Sequence, residues 1–173
     1  DSAVDLTDVL IRGTRPQEVD LTGGRAVTYQ QGATGTVTRA LIEDSREVGI
    51  AVVAESGFVT QTDVTIRGVL PQACAETTCR DTSAGTGLLA AFSPLRMTRF
   101  AIVDADLCGL QLSGTAEVDL EDGVVRGSTI GACVQISGYD FGRLTNRVVY
   151  QDNETNLDAT SLPVPAAASG TGL

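Results

Sequence analysis

The sequence predicts an all-β solenoid, in which short strands stack in successive units of about 24 residues. Three observations predict it. A six-residue strand-like pattern recurs six times along the 173-residue chain. A second, shorter pattern follows each of its first five occurrences. The chain also holds 19 glycines and only 4% aromatics, a composition that suits many tight turns better than long helices.

The first pattern reads Leu6–Ile11, Val37–Ile42, Gln61–Ile66, Met97–Ile102, Leu120–Val125 and Leu144–Val149. The third residues of these segments lie 31, 24, 36, 23 and 24 positions apart, so two insertions interrupt a period of about 24. The second pattern reads Ala26-Val27-Thr28-Tyr29, Gly49-Ile50-Ala51-Val52, Gly87-Leu88-Leu89-Ala90, Gly109-Leu110-Gln111-Leu112 and Cys133-Val134-Gln135-Ile136. A small residue followed by apolar residues at alternate positions marks a strand entered from a tight turn. A unit this short cannot bury its apolar face alone, and stacking buries a continuous core.

Equivalent positions of stacked units form columns one strand spacing apart. The column Ile11, Ile42, Ile66, Ile102, Val125, Val149 is expected to face inward. The outward column Asp8, Arg39, Asp63, Arg99, Asp122, Asn146 alternates in charge. A second outward column, Arg12, Glu43, Arg67, Val103, Arg126, Tyr150, has the opposite phase where it is charged. Opposite charges at adjacent positions fix register, because a slip sets like against like. The stretches Ile11–Gln17 and Ile66–Gln72 match as Ile-Arg-Gly-x-x-Pro-Gln, and Val125-Arg126-Gly127 begins the same way. The insertions follow the first two of these, so both are expected to project from one corner of the stack.

These units, with Gly24-Arg25-Ala26-Val27, Gly49-Ile50-Ala51-Val52 and Gly85-Thr86-Gly87-Leu88, resemble the pectate-lyase-type right-handed parallel β-helix repeats of bacterial cell-surface proteins. The resemblance implies a right-handed parallel β-helix of about six rungs over residues 1–161. Residues 162–173, rich in Pro and Ala, are then a C-terminal tail or cap. It implies little about activity, because one fold hosts many functions.

The net charge is −10 and the sequence pI about 4.3, which disfavours nucleic acid and anionic membrane surfaces as partners. No apolar run reaches the ~20 residues that span a bilayer. The chain opens without a signal peptide and in the middle of a repeat, as expected of a piece of something longer. Cys74 and Cys79 share the second insertion, and Cys108 and Cys133 fall at nearly equivalent turns of consecutive units. Two disulfides, Cys74–Cys79 and Cys108–Cys133, are expected, and with them an extracellular or cell-surface location. A zinc site is disfavoured by the lack of His and of a second C-x₂-C half. No cofactor or metal is expected.

Glu43/Asp44, Asp104/Asp106 and Glu121/Asp122 are the nearest approach to paired catalytic carboxylates. Arg67 stands between the first two groups, which reads as a charge network rather than an acid–base pair. The candidate binding loops are the insertions: Glu18 and Asp20 in the first, Glu76, Arg80 and Asp81 in the second. The expected function is a non-catalytic structural or adhesive module of a larger secreted bacterial protein. The alternative is a carbohydrate-active or carbohydrate-binding β-helix acting on acidic polysaccharide. The expected partners are a polysaccharide or another copy or part of such a surface protein.

Overall fold

The computed structural model describes residues 2–74 and 85–159. In chain order the strands are β1 (Ala3–Arg12), β2 (Val27–Tyr29), β3 (Thr34–Glu43), β4 (Val48–Val52), β5 (Val59–Val69) and β6 (Thr86–Ala91). They continue with β7 (Pro94–Ala105), β8 (Cys108–Ser113), β9 (Glu117–Arg126), β10 (Ile130–Val134), β11 (Asn146–Gln151) and β12 (Thr155–Asp158). The odd strands form one six-stranded sheet in the order β1-β3-β5-β7-β9-β11, and the even strands a second, β12-β10-β8-β6-β4-β2. Every strand pairing is parallel. The chain therefore visits the two sheets alternately, and one apolar cluster draws on both.

The long odd strands bend at a fixed point. Asp8, Arg39, Asp63, Arg99, Asp122 and Arg147 all have φ between 50° and 56°. A left-handed residue breaks the two-residue alternation of a strand. In β5, Gln61 is buried, Thr62 and Asp63 both turn outward, and Val64 is buried again. Five positions later a second left-handed column follows: Gly13, Asp44, Gly68, Asp104, Gly127 and Asp152. Gly and Asp alternate here, as fits a conformation that glycine adopts freely and Asp better than most residues. The alternation is also steric, for a Cβ on Gly68 would lie 3.0 Å from Asp44 Oδ1. A Cβ on Gly127 would overlap Asp104 Oδ1. Gln31, Ala54, Phe92 and Gly114 make a third left-handed column, after the even strands.

The core fits by exchange of volume between neighbours. Val9, Ala40, Val64, Phe100, Gly123 and Val148 stand in one column. The Phe100 ring fills the space a side chain on Gly123 would need. Gly123→Val should thus cost about 1–3 kcal/mol by overpacking. Chemical denaturation of Gly123→Val, Phe100→Val and the double variant should show the double recovering more than half of that loss. Additive losses would mean that the ring does not occupy the glycine's space.

Two registers differ from the sequence expectation. Asn146 pairs with Glu121, Val148 with Gly123 and Tyr150 with Val125. Arg147 therefore joins the Asp8 column, Tyr150 the isoleucine column and Gln151 the Arg12 column. A 3-10 turn over Phe141–Leu144 occupies the positions where the sequence pattern began, so β11 starts later. Tyr150 packs against the core and Val149 is exposed. In β10, Gly131 rather than Cys133 is the equivalent of Gly109, since Ile130 pairs with Cys108 and Ala132 with Leu110. The shift of two positions preserves the alternation, which is why the pattern still matched. The sequence pattern also missed β12.

The Cys108–Cys133 disulfide is present, with 6.1 Å between Cα atoms. The two cysteines are not register partners, since Cys108 stands opposite Ile130 and Cys133 opposite Gln111. Cys74 is disulfide-bonded as well. Cys79, its expected partner, lies outside the described residues.

Candidate interaction surface

The left-handed bends turn a column of charged side chains outward, each directed along the stack rather than away from it. Arg39 donates from Nε and Nη2 to the two carboxylate oxygens of Asp8, at 2.5 and 2.7 Å. Arg99 holds Asp63 in the same way at 2.7 and 2.8 Å. Arg147 holds Asp122 at 2.5 and 3.0 Å and also reaches Glu121. The charge alternation therefore runs through all six strands of the sheet. In each pair the guanidinium hydrogen bond holds the Asp carboxyl below its usual range. The next pair adds attraction, as Arg39 faces Asp63 and Arg99 faces Asp122.

The second column carries a tighter motif. Glu43 is buried, and both Arg12 and Arg67 bond it from the strands on either side. The Arg12 hydrogen bond, then that of Arg67, holds its carboxyl below the ordinary value despite the opposing effect of desolvation. Val103 follows Arg67 in this column, so the clamp ends there. At the far end Arg143 bridges Asp119 at 2.9 Å and Glu117 at 3.4 Å.

The first insertion has its own turn. Thr22 donates its backbone N–H and its hydroxyl to Asp20 Oδ1, at 3.0 and 2.8 Å, and these bonds lower the Asp20 pKa. The Gly23 N–H donates to the Gln72 side-chain oxygen at 3.0 Å, which ties the two insertions together at one corner. Glu18 is exposed beside this turn. Glu76, Arg80 and Asp81 lie outside the described residues.

Sequence reasoning missed an ion pair at this corner. Arg25 lies against Glu47 in a two-bond geometry of 2.7 and 2.8 Å, and both side chains are largely buried. The only sequence signal was a charge inside each glycine-flanked strand entry, Gly24-Arg25 and Glu47-Val48-Gly49.

Of the carboxylates weighed for catalysis, Glu43 is bound by two arginines, and Glu121 and Asp122 by Arg147. Asp104 and Asp106 line a shallow depression with Gly127, Ser128, Thr129, Asp152 and Glu154. Among the described residues no three His, Cys, Asp or Glu side chains converge as metal ligands. The carboxyls of Glu43 and Asp122, held below their usual range by bound arginines, are poor proton donors at neutral pH. What this geometry does chemically is neutralise charge within the sheet.

The lowered carboxylate values set a pH dependence. Groups whose folded pKa is depressed stabilise the fold above their unfolded values and lose that stabilisation as pH falls through the folded values. Stability should be level above the ordinary Glu value of 4.5 and decline progressively below the ordinary Asp value of 3.8. Thermal melts between neutral and acid pH check this, and Glu43→Gln should flatten the decline. A wild-type profile that rises on acidification would show that these pairs do not stabilise the fold.

Among the described residues no helix is long and apolar enough to cross a membrane. Compared with protein-family models, with curated proteins and with solved structures, the chain matches none.

Proposed function

We propose that the chain is a non-catalytic structural or adhesive module, a right-handed parallel β-helix of about six rungs from a larger secreted or surface bacterial protein. Alternation between two parallel sheets supports the helical path, as do the repeated left-handed bends. So does the likeness of the units to pectate-lyase-type repeats. Under this reading each rung takes one odd and one even strand, and the insertions lie within the first and third rungs, between β1 and β2 and between β5 and β6. The Cys108–Cys133 disulfide is compatible with an oxidising, extracellular setting.

One observation carries the functional reading: the outward charges at the bends of the long sheet are paired with one another in register. A surface whose guanidinium and carboxylate groups already pair has little left for a charged substrate, and much to hold a rigid stack in register. The second reading, a carbohydrate-active or carbohydrate-binding β-helix, is favoured by one specific feature. Asp104, Asp106, Asp152 and Glu154 line the same depression. Incubation with a panel of acidic and neutral polysaccharides, followed by assay for new chain ends, separates the two. The module reading expects no product. Turnover that disappears in Asp104→Asn or Asp106→Asn would replace it with the enzyme.

A further inference from the structure

Among the described residues no further strand pairs with the outer edges of the two sheets. At one end β1 and β2 are the outermost strands, and at the other β11 and β12. The outer residues of β1 and β11 are mostly exposed, including the apolar Val4, Leu10 and Val149. Leu6, Ile11 and Val27 at one end and Val148, Tyr150 and Leu157 at the other are only partly buried against the core. An exposed strand edge with an apolar flank is a template for another strand.

Two columns specify which strand fits. The charged column runs Asp8, Arg39, Asp63, Arg99, Asp122, Arg147, so it begins with an acid and ends with a base. Its bonded pairs are complete at both ends: Asp8 with Arg39 and Arg147 with Asp122. A following copy would therefore set Arg147 beside Asp8, the same unbonded but attractive neighbour relation that links Arg39 to Asp63. The glycine–aspartate column continues in the same phase. Asp44 leans over Gly68, and Asp104 over Gly127, each in the next unit. Gly13 has open space where such an aspartate would lie, and Asp152 ends the column at the far side. Both columns have a period of two units, and six strands close them evenly.

We infer that copies of this chain stack end to end, with β1 and β2 of one copy adding in parallel to β11 and β12 of the next, so that Arg147 meets Asp8 and Asp152 covers Gly13. The contact is heterologous and need not close into a ring, so it builds linear assemblies. Ile11 then meets Tyr150, Val9 meets Val148, and Val27 meets Leu157, continuing three interior columns. This rests on the stacked-rung reading proposed above.

Small-angle X-ray scattering over a concentration series tests it. The wild-type particle should lengthen in steps of about 29 Å, six strand spacings, at constant cross-section, and less so at high salt. Asp8→Lys and Arg147→Glu should each weaken association about tenfold or more, because each sets like charges together. An equal mixture of the two variants should associate again, because the charges introduced at positions 8 and 147 are opposite. A wild type that stays monomeric overturns the inference, as does growth that widens the cross-section. Axial growth indifferent to both variants overturns the assigned contact. A monomer whose cross-section does not fit a stacked β coil would instead reject the reading beneath it.

Discussion

Gly87→Ala is expected to lower stability by about 3 kcal/mol, as an overpacking change that a rigid backbone cannot relieve. Gly49, Gly87, Gly109 and Gly131 head successive even strands, in one column. A Cβ on Gly87 would lie 2.6 Å from the Gly109 carbonyl oxygen and 2.5 Å from Ile102 Cγ2. The second contact belongs to the inward isoleucine column, which presses against these glycines: Ile66 on Gly49, Ile102 on Gly87, Val125 on Gly109. Trimming Ile102 relieves only the side-chain clash. The carbonyl belongs to the sheet's own hydrogen-bonded ladder and cannot retreat. Ile102→Ala should therefore fail to rescue Gly87→Ala, whereas Phe100→Val should rescue Gly123→Val, where the obstacle is a ring. Urea unfolding of these variants checks the contrast. Tolerance of alanine at Gly87 would show that the even strands are less closely stacked than described.

The second large effect is expected at the corner of the insertions. Arg25→Ala removes the partner of a carboxylate whose side chain is 5% exposed. Leaving one member of a buried pair uncompensated costs about 3–5 kcal/mol. The double variant Arg25→Met, Glu47→Leu should cost far less, because no charge is left buried. The backbone of Glu47 belongs to the same corner, since its carbonyl accepts from the N–H groups of Gly85 and Thr86 and its own N–H donates to the Leu70 carbonyl. Thermal and urea unfolding measure both variants. A loss below about 1 kcal/mol for Arg25→Ala, the level of an exposed pair, would mean that water screens the contact.

Much of this arrangement was legible in the sequence, because stacking imposes the same demand at the same phase in every unit. Ile11, Ile42, Ile66 and Ile102 fall in register as the spacing predicts. The Ile-Arg-Gly repeat at residues 11 and 66, with Val-Arg-Gly at 125, was visible too. Its cause was not, since a left-handed column that alternates Gly with Asp is a property of φ, not of hydropathy. The last unit was misread by one position because Val148-Val149 offers the same apolar character in either register. Only the bend at Arg147 and the ring of Tyr150 decide between them. Gln61 escaped notice for the opposite reason. It stands in an interior column with Val37, Met97 and Leu120 and is fully buried. Tertiary context overrides its polarity. The charge columns were readable as alternation, but the clamp on Glu43 and the pair Arg25–Glu47 depend on burial that a sequence does not display.

The long strands stack in parallel with the charge column in register, and cysteine cross-linking tests this most directly. Thr62 and Thr98 are register partners in β5 and β7, at the positions just before the bend. Under mild oxidation Thr62→Cys, Thr98→Cys should form a disulfide, seen as one added bridge by intact mass and peptide mapping. Thr62→Cys, Arg96→Cys, displaced by two positions along the strand, should remain reduced, since its Cα atoms exceed the bridging range of about 4.4–6.8 Å. Closure of the displaced pair in preference to the first would contradict the register, and with it the paired charges on which the functional reading stands.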